Sequence, residues 1–144
     1  MKKKLLVVVM LIVVILMAVL LAGCDTNKMT LGFMASADSD IEYVKVNIKD
    51  YEGKTLYDLL KAEESLEAQF NDYGVTEIKG LKSDDSHFIS VYTTNEADQM
   101  PADEYFTPEP MEVDGVTYYV ANGIKTLPIS KDIKYLFVLT IIQY

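Results

Sequence analysis

The chain has 144 residues, half of them apolar, with 13 basic and 22 acidic residues, one His, one Cys and no Trp. Lys2–Lys4 belong to a leader that holds no acid, so the part from Cys24 onward sets ten lysines against 22 acids, a net charge of −12. That length suits one domain, that charge excludes nucleic acid as a partner, and a single Cys excludes a disulfide within the chain.

Met1-Lys-Lys-Lys4 followed by the unbroken apolar run Leu5–Leu21 has the charge and hydropathy pattern of a secretory leader, predicted as an N-terminal signal helix over residues 1–23. Small residues at Ala22 and Gly23 let a peptidase approach the bond before Cys24. Leu21-Ala22-Gly23-Cys24 thus resembles a bacterial lipoprotein signal, a lipobox. The resemblance implies diacylglycerol on the Cys24 sulfur and a new N-terminus at that residue. Two acyl chains are enough for stable anchoring. The alternative is an uncleaved signal anchor, for which 17 apolar residues are at the lower limit. The expected location is the extracytoplasmic face of the cell membrane, with the lipid anchor as the contact to the bilayer.

Residues 24–40 mix small and polar residues around Met29–Met34 and are expected to be the lipidated tether, with Thr30–Met34 as a possible short edge strand. Ile41–Ile48 alternates with Val44, Val46 and Ile48 on one side and is predicted as a strand opening a domain over 41–144. Thr55 with Asp58 three residues on is suited to cap a helix, and Leu56, Leu59 and Leu60 give it one apolar stripe. This helix is expected to run through Leu66 to Phe70 and stop by Gly74. Beyond it, Val75–Leu81 reads as a strand broken at Gly80, and Phe88–Thr94 as a clear strand. Asn95–Pro110, with three prolines, reads as an irregular excursion. Asp114-Gly115 and Asn122-Gly123 are tight-turn dipeptides bracketing the strand Val116–Val120. Tyr135–Ile142 is almost continuously apolar, the pattern of a strand covered on both faces. The expected fold class is α+β: a β-grasp-like mixed sheet with one main helix on one face and the C-terminal strand central.

Val44-Lys-Val-Asn-Ile48 followed by Gly53-Lys-Thr-Leu-Tyr-Asp-Leu-Leu60 resembles the opening of the transcobalamin C-terminal-like family. Asp72-Tyr-Gly-Val-Thr-Glu-Ile-Lys-Gly-Leu81 is similar to that family's segment after the helix, and Asp132–Phe137 to its last strand. The family is of β-grasp type and occurs as small bacterial surface lipoproteins. The resemblance implies a small-molecule-binding or adhesive role rather than catalysis. Two features depart from it: the aromatic strand has no Trp, and about twenty residues near 97–117 are inserted. The first weighs against a corrinoid as the ligand. Expected ligand-binding residues are Phe88, Tyr92 and Asn95 on one candidate strand, and Tyr118, Tyr119 and Asn122 on the other.

Catalytic and metal chemistry have weaker support. His87 is the only imidazole, and its neighbours Asp84, Asp85 and Ser86 lie on one turn, where triad partners seldom converge. Zinc lacks ligands, and Asp38-Ser39-Asp40 or Glu96-Ala97-Asp98 falls short of a calcium loop. The 22 acids offer many pairs for a carboxylate hydrolase without singling one out, so no catalytic or metal residue is named. Ten tyrosines supply apolar area with a hydroxyl, which suits a ligand or partner surface. The expected function is a non-catalytic lipoprotein that binds a small molecule or peptide at the cell surface. The alternative is a protein–protein adaptor or accessory subunit of an envelope or transport complex, with Asn95–Pro110 as its contact loop.

Overall fold

The computed structural model of the protein describes Val8, Met10, Ile12, Val13 and residues 27–143. Leu21, Ala22, Gly23 and Cys24 lie outside the described residues, and with them the predicted lipidation site. No helix among the described residues is long and apolar enough to cross a membrane.

The domain begins earlier than expected. Lys28–Met34 is not tether but strand β1, with Met29, Leu31, Phe33 and Met34 all buried. Nor is it an edge: it lies between β2 (Glu42–Asn47), to which it pairs antiparallel, and the C-terminal strand β9 (Tyr135–Ile141), to which it pairs parallel. Alternation at Met29, Leu31 and Phe33 aims three large side chains at the helix side, and the ring of Phe33 stacks on Phe137 at 5.4 Å. Gly32 faces the other way, where a Cβ would meet Leu136 Cδ1 at 2.8 Å and Ile41 Cγ2 at 3.0 Å. The glycine is thus a close-approach residue, and its presence made the segment look like a linker.

Helix α1 (Leu56–Ala62) forms where Thr55 predicts it. The Thr55 hydroxyl accepts from the Asp58 amide while the Asp58 carboxylate accepts from the Thr55 amide at 2.9 Å, a complete capping box. Leu56, Leu59 and Leu60 are fully buried against the sheet. The helix is shorter than expected. Glu63 and Glu64 would place two carboxylates at the negative end of the dipole, so the chain turns instead through a 3-10 turn, Glu64–Leu66, and a left-handed Glu67. That turn still buries Leu66, while Phe70 joins a strand.

Two sheets follow. β3 (Gln69–Asn71), β4 (Gly74–Ile78) and β5 (Leu81–Lys82) make a small antiparallel sheet, with Lys79 and Gly80 both at positive φ in the turn between its last two strands. The large sheet has the order β2-β1-β9-β6-β8-β7, where β6 is His87–Thr93, β7 is Met111–Val113 and β8 is Val116–Val120. Its mixed pairing, the central β9 and the helix on one face are the α+β, β-grasp-like arrangement expected. Tyr135, Leu136, Phe137 and Val138 are all buried because β9 is covered on both faces. The main core lies between the sheet and α1; a smaller cluster of Met34, Tyr118, Leu136 and Val138 occupies the opposite face. The inserted region passes through a 3-10 turn, Glu96–Asp98, and returns as the outer hairpin β7–β8, closed by Asp114 and Gly115 at positive φ.

Candidate functional site: a cleft beside an unpaired stretch of beta6

The large sheet opens at one place. Among the described residues β6 pairs with β9 along its whole length, but with β8 only at Tyr92 and Thr93. At Val91 the backbone carbonyl still accepts from the Ala121 amide at 2.8 Å, and there the chain turns away. Backbone groups alternate sides along a strand, so the N–H and C=O of Ile89 point to the same margin as those of Val91. Among the described residues no strand takes up the Ile89 pair.

The space beside this margin is a groove of about 230 Å³ lined by Phe88, Ser90 and Val91 on one side and by Met100, Val120 and Gly123 on the other. A second hollow of about 200 Å³ continues it along Tyr57, Phe70, Asn71, Asp72, Asn122 and Lys125. Tyr73, Gly74, Gly123 and Ile124 line both, which makes one cleft. Its combined size falls at the small end of ligand sites, roughly 300–1,000 Å³.

Local sequence sets each wall. The Asn71 side chain accepts from the amides of Tyr73 and Gly74 at 2.8 and 3.0 Å, closing the β3–β4 turn and leaving Tyr73 97% exposed at the rim. The opposite wall is fixed because Met100 donates to Val120 and Asn122 to Asp98 through their amides. In the floor of the second hollow Tyr57 packs edge-on to Phe70 with ring centroids 5.0 Å apart. Lys61 Nζ and Lys125 Nζ lie 5.1 and 5.7 Å from the centre of the Tyr57 ring, two cation–π contacts on one phenol.

The six expected ligand residues separate. Phe88, 45% exposed, and Asn122 do line the cleft. Tyr92 and Tyr118 belong to the opposite face of the sheet, in or against the smaller core cluster. Tyr118 is buried, which together with the nearby Tyr43 hydroxyl pushes its phenol up to about 12; burial alone raises Tyr92. Tyr119 stands opposite Thr93 in the β6–β8 pairing and is half-buried. Asn95 donates from its side chain to Asp98 at 2.7 Å, which holds the 3-10 turn. Strand parity thus puts Tyr118 inside and leaves its neighbour Tyr119 half-buried. The cleft residues that were missed are Tyr57, Phe70, Tyr73, Met100 and Lys125. Only Tyr73 carried a signal: an aromatic at the tip of an Asn-Asp-Tyr-Gly turn has no core to enter.

His87 and Asp84 do converge, with His87 Nδ1 2.9 Å from Asp84 Oδ1. What Ser86 adds is its amide, which donates to the same carboxylate oxygen at 2.7 Å. These bonds, that from His87 first, hold the Asp84 carboxyl below its ordinary range. The arrangement closes the turn before β6. Among the described residues no group of three or more His, Cys, Asp or Glu is placed to hold a metal ion.

No protein-family model matches the chain, and no curated protein does. A solved structure from Ruminococcus gnavus, described as a "putative metal binding protein", is similar in fold. It covers 81% of this chain and 99% of its own, with a TM-score of 0.52 and 12% identity. The likeness is one of fold.

Proposed function

We propose that the chain is a non-catalytic lipoprotein, anchored at the extracytoplasmic face of the membrane through Cys24, whose domain binds a small molecule or short peptide in the cleft beside β6. The observation that carries this is the unpaired margin of β6 at Ile89, set in an apolar groove with Phe88 and Tyr73 exposed at its lips. Few, fixed polar groups among apolar walls are what a binding site needs for orientation. The leader and lipobox support the anchoring, and the capped helix at Gly53–Leu60 supports kinship with the transcobalamin C-terminal-like domains. The Ruminococcus protein's description suggests a metal instead. The cleft's apolar lining favours an organic ligand.

Two measurements test this. The intact mass of the mature protein should begin at Cys24 with a diacylglyceryl increment; a mass retaining residues 1–23 removes the anchoring through Cys24. Native mass spectrometry of protein purified from its own host should show a retained ligand that Phe88→Ala and Tyr73→Ala release. Repeated absence, with no thermal shift across a metabolite panel, removes the binding role.

A second reading has its own observation. In the inserted region Asp103 Oδ1 accepts from the amides of Tyr105 and Phe106, both at 2.8 Å, and so presents a Tyr 90% exposed beside a Phe 48% exposed. An ordered aromatic pair suits an envelope-protein contact. Replacing Tyr105 and Phe106 together by alanine should abolish that contact and leave cleft binding intact.

A further inference from the structure

We infer that the cleft takes an anionic ligand with an apolar body, its acid group beside Tyr57 at Lys125 and Lys61 and its body along the β6 margin. This rests on the cleft reading above and adds the ligand's charge class.

The domain is strongly acidic, so a random position on its surface faces more carboxylates than ammonium groups. The second hollow is itself balanced, with Lys125 and Asp72 in its lining, but the Tyr57 ring at its edge draws in a further lysine. Lys125 lines it, and Lys61 reaches the same Tyr57 ring from the helix. Lys54, seven residues before Lys61, lies over Tyr51 nearby on the chain. With two ammonium groups gathered at one ring, an acid group placed beside that ring meets more positive than negative charge. The local acids are accounted for differently. Asp58 accepts from the Thr55 amide and hydroxyl at 2.9 and 3.0 Å, and its charge is offset by Lys54 as well as Lys61. Asp72 remains as the opposing charge in the hollow, at the β3–β4 turn. The long-range field of the other acids is screened within roughly 8 Å at physiological salt, so the nearest lysines decide the preference.

The first hollow supplies the apolar half. Phe88, Val91, Met100 and Val120 surround it, with the Ile89 backbone as the polar rail. A ligand bridging both hollows is thus charged at one end and apolar at the other.

Naphthoate and naphthamide test this, because they share ring and shape and differ by one charge. Titrations by calorimetry use the full chain in lipid nanodiscs, with empty nanodiscs as the blank. Naphthoate should bind the wild type at least fivefold more tightly. Lys61→Gln and Lys125→Gln should each weaken naphthoate about threefold, and the pair about tenfold, with naphthamide unchanged. Added salt should narrow the difference between the two ligands. Equal affinities, or a preference that survives both substitutions, overturns the anionic class while leaving the cleft standing. Binding of both ligands that is indifferent to Phe88→Ala and Tyr73→Ala, or no binding of either, overturns the cleft reading itself. Circular dichroism and the melting temperature of each variant confirm that the fold is kept.

Discussion

Gly32→Ala is a change of one methyl group at the seam between β1 and β9. The added Cβ would stand 2.8 Å from Leu136 Cδ1, 3.0 Å from Ile41 Cγ2 and 3.4 Å from Tyr43 Cε1. Leu136 is fully buried between β1 and β6, so its methyl has no vacant space to retreat into. Overpacking of this kind costs about 1–3 kcal/mol. For a domain of roughly 120 residues each kcal/mol moves the melting temperature by about 4 °C, so a fall of about 4–12 °C is expected. The origin of that fall is open to a double-mutant cycle. Leu136→Ala alone should cost about 2–5 kcal/mol by opening a cavity. Combined with Gly32→Ala it should cost at least 1 kcal/mol less than the sum, because the new methyl occupies part of that cavity. Urea denaturation of the four proteins measures all of this. An additive cycle, or a Gly32→Ala variant as stable as the wild type, would refute the close packing of β1 on β9.

Three further changes probe the frame around the cleft. Tyr135→Phe removes the hydroxyl that donates to the Pro128 carbonyl at 2.7 Å, and should lower stability by about 1–2 kcal/mol in the same assay. Thr55→Ala removes half of the capping box and should cost about 1 kcal/mol, with a matching loss of helix signal at intermediate urea. The Asp58 carboxyl is held below its ordinary value, first by the Thr55 amide and then by its hydroxyl, so its contribution is present above about pH 4 and fades as pH falls below that. Asp58→Asn should flatten that acid limb. Tyr118 titrates at about 12 in the fold against about 10 when unfolded, so the folded state holds its proton longer and stability falls as pH rises from 10 to 12. Tyr118→Phe should remove that part of the alkaline limb, and ultraviolet titration should lose one late phenol.

The fold was legible where pattern and physics act locally. The unbroken run at Tyr135–Val138 announced a central strand because a strand covered on both faces needs no polar positions. Thr55 and Asp58 announced the helix start because a cap is a contact between residues three apart. Lys28–Met34 was misread because Gly32 and the polar residues around the segment lowered its apolar density. What makes it core is a parallel partner more than a hundred residues away. The cleft was less legible for the same reason. Its walls come from the β3–β4 turn, the margin of β6 and the segment after β8, and only the divergence of β8 from β6 brings them together. Phe88 and Asn122 were found because they fall in the two segments set against the aromatic strand of the family the chain resembles. Tyr118 failed as a ligand residue because strand parity turned it into the second core, and parity cannot say which face of a sheet is closed.

Amide hydrogen exchange in the presence of saturating naphthoate bears most directly on the cleft. The Ile89 and Val91 amides should exchange at least tenfold more slowly with the ligand than without it, while those of Tyr43 and Lys45 on the outer strand stay unchanged. Protection confined to Tyr43, Tyr92 or the Tyr105 loop, with Ile89 and Val91 unaffected, would place the binding surface elsewhere and contradict the account.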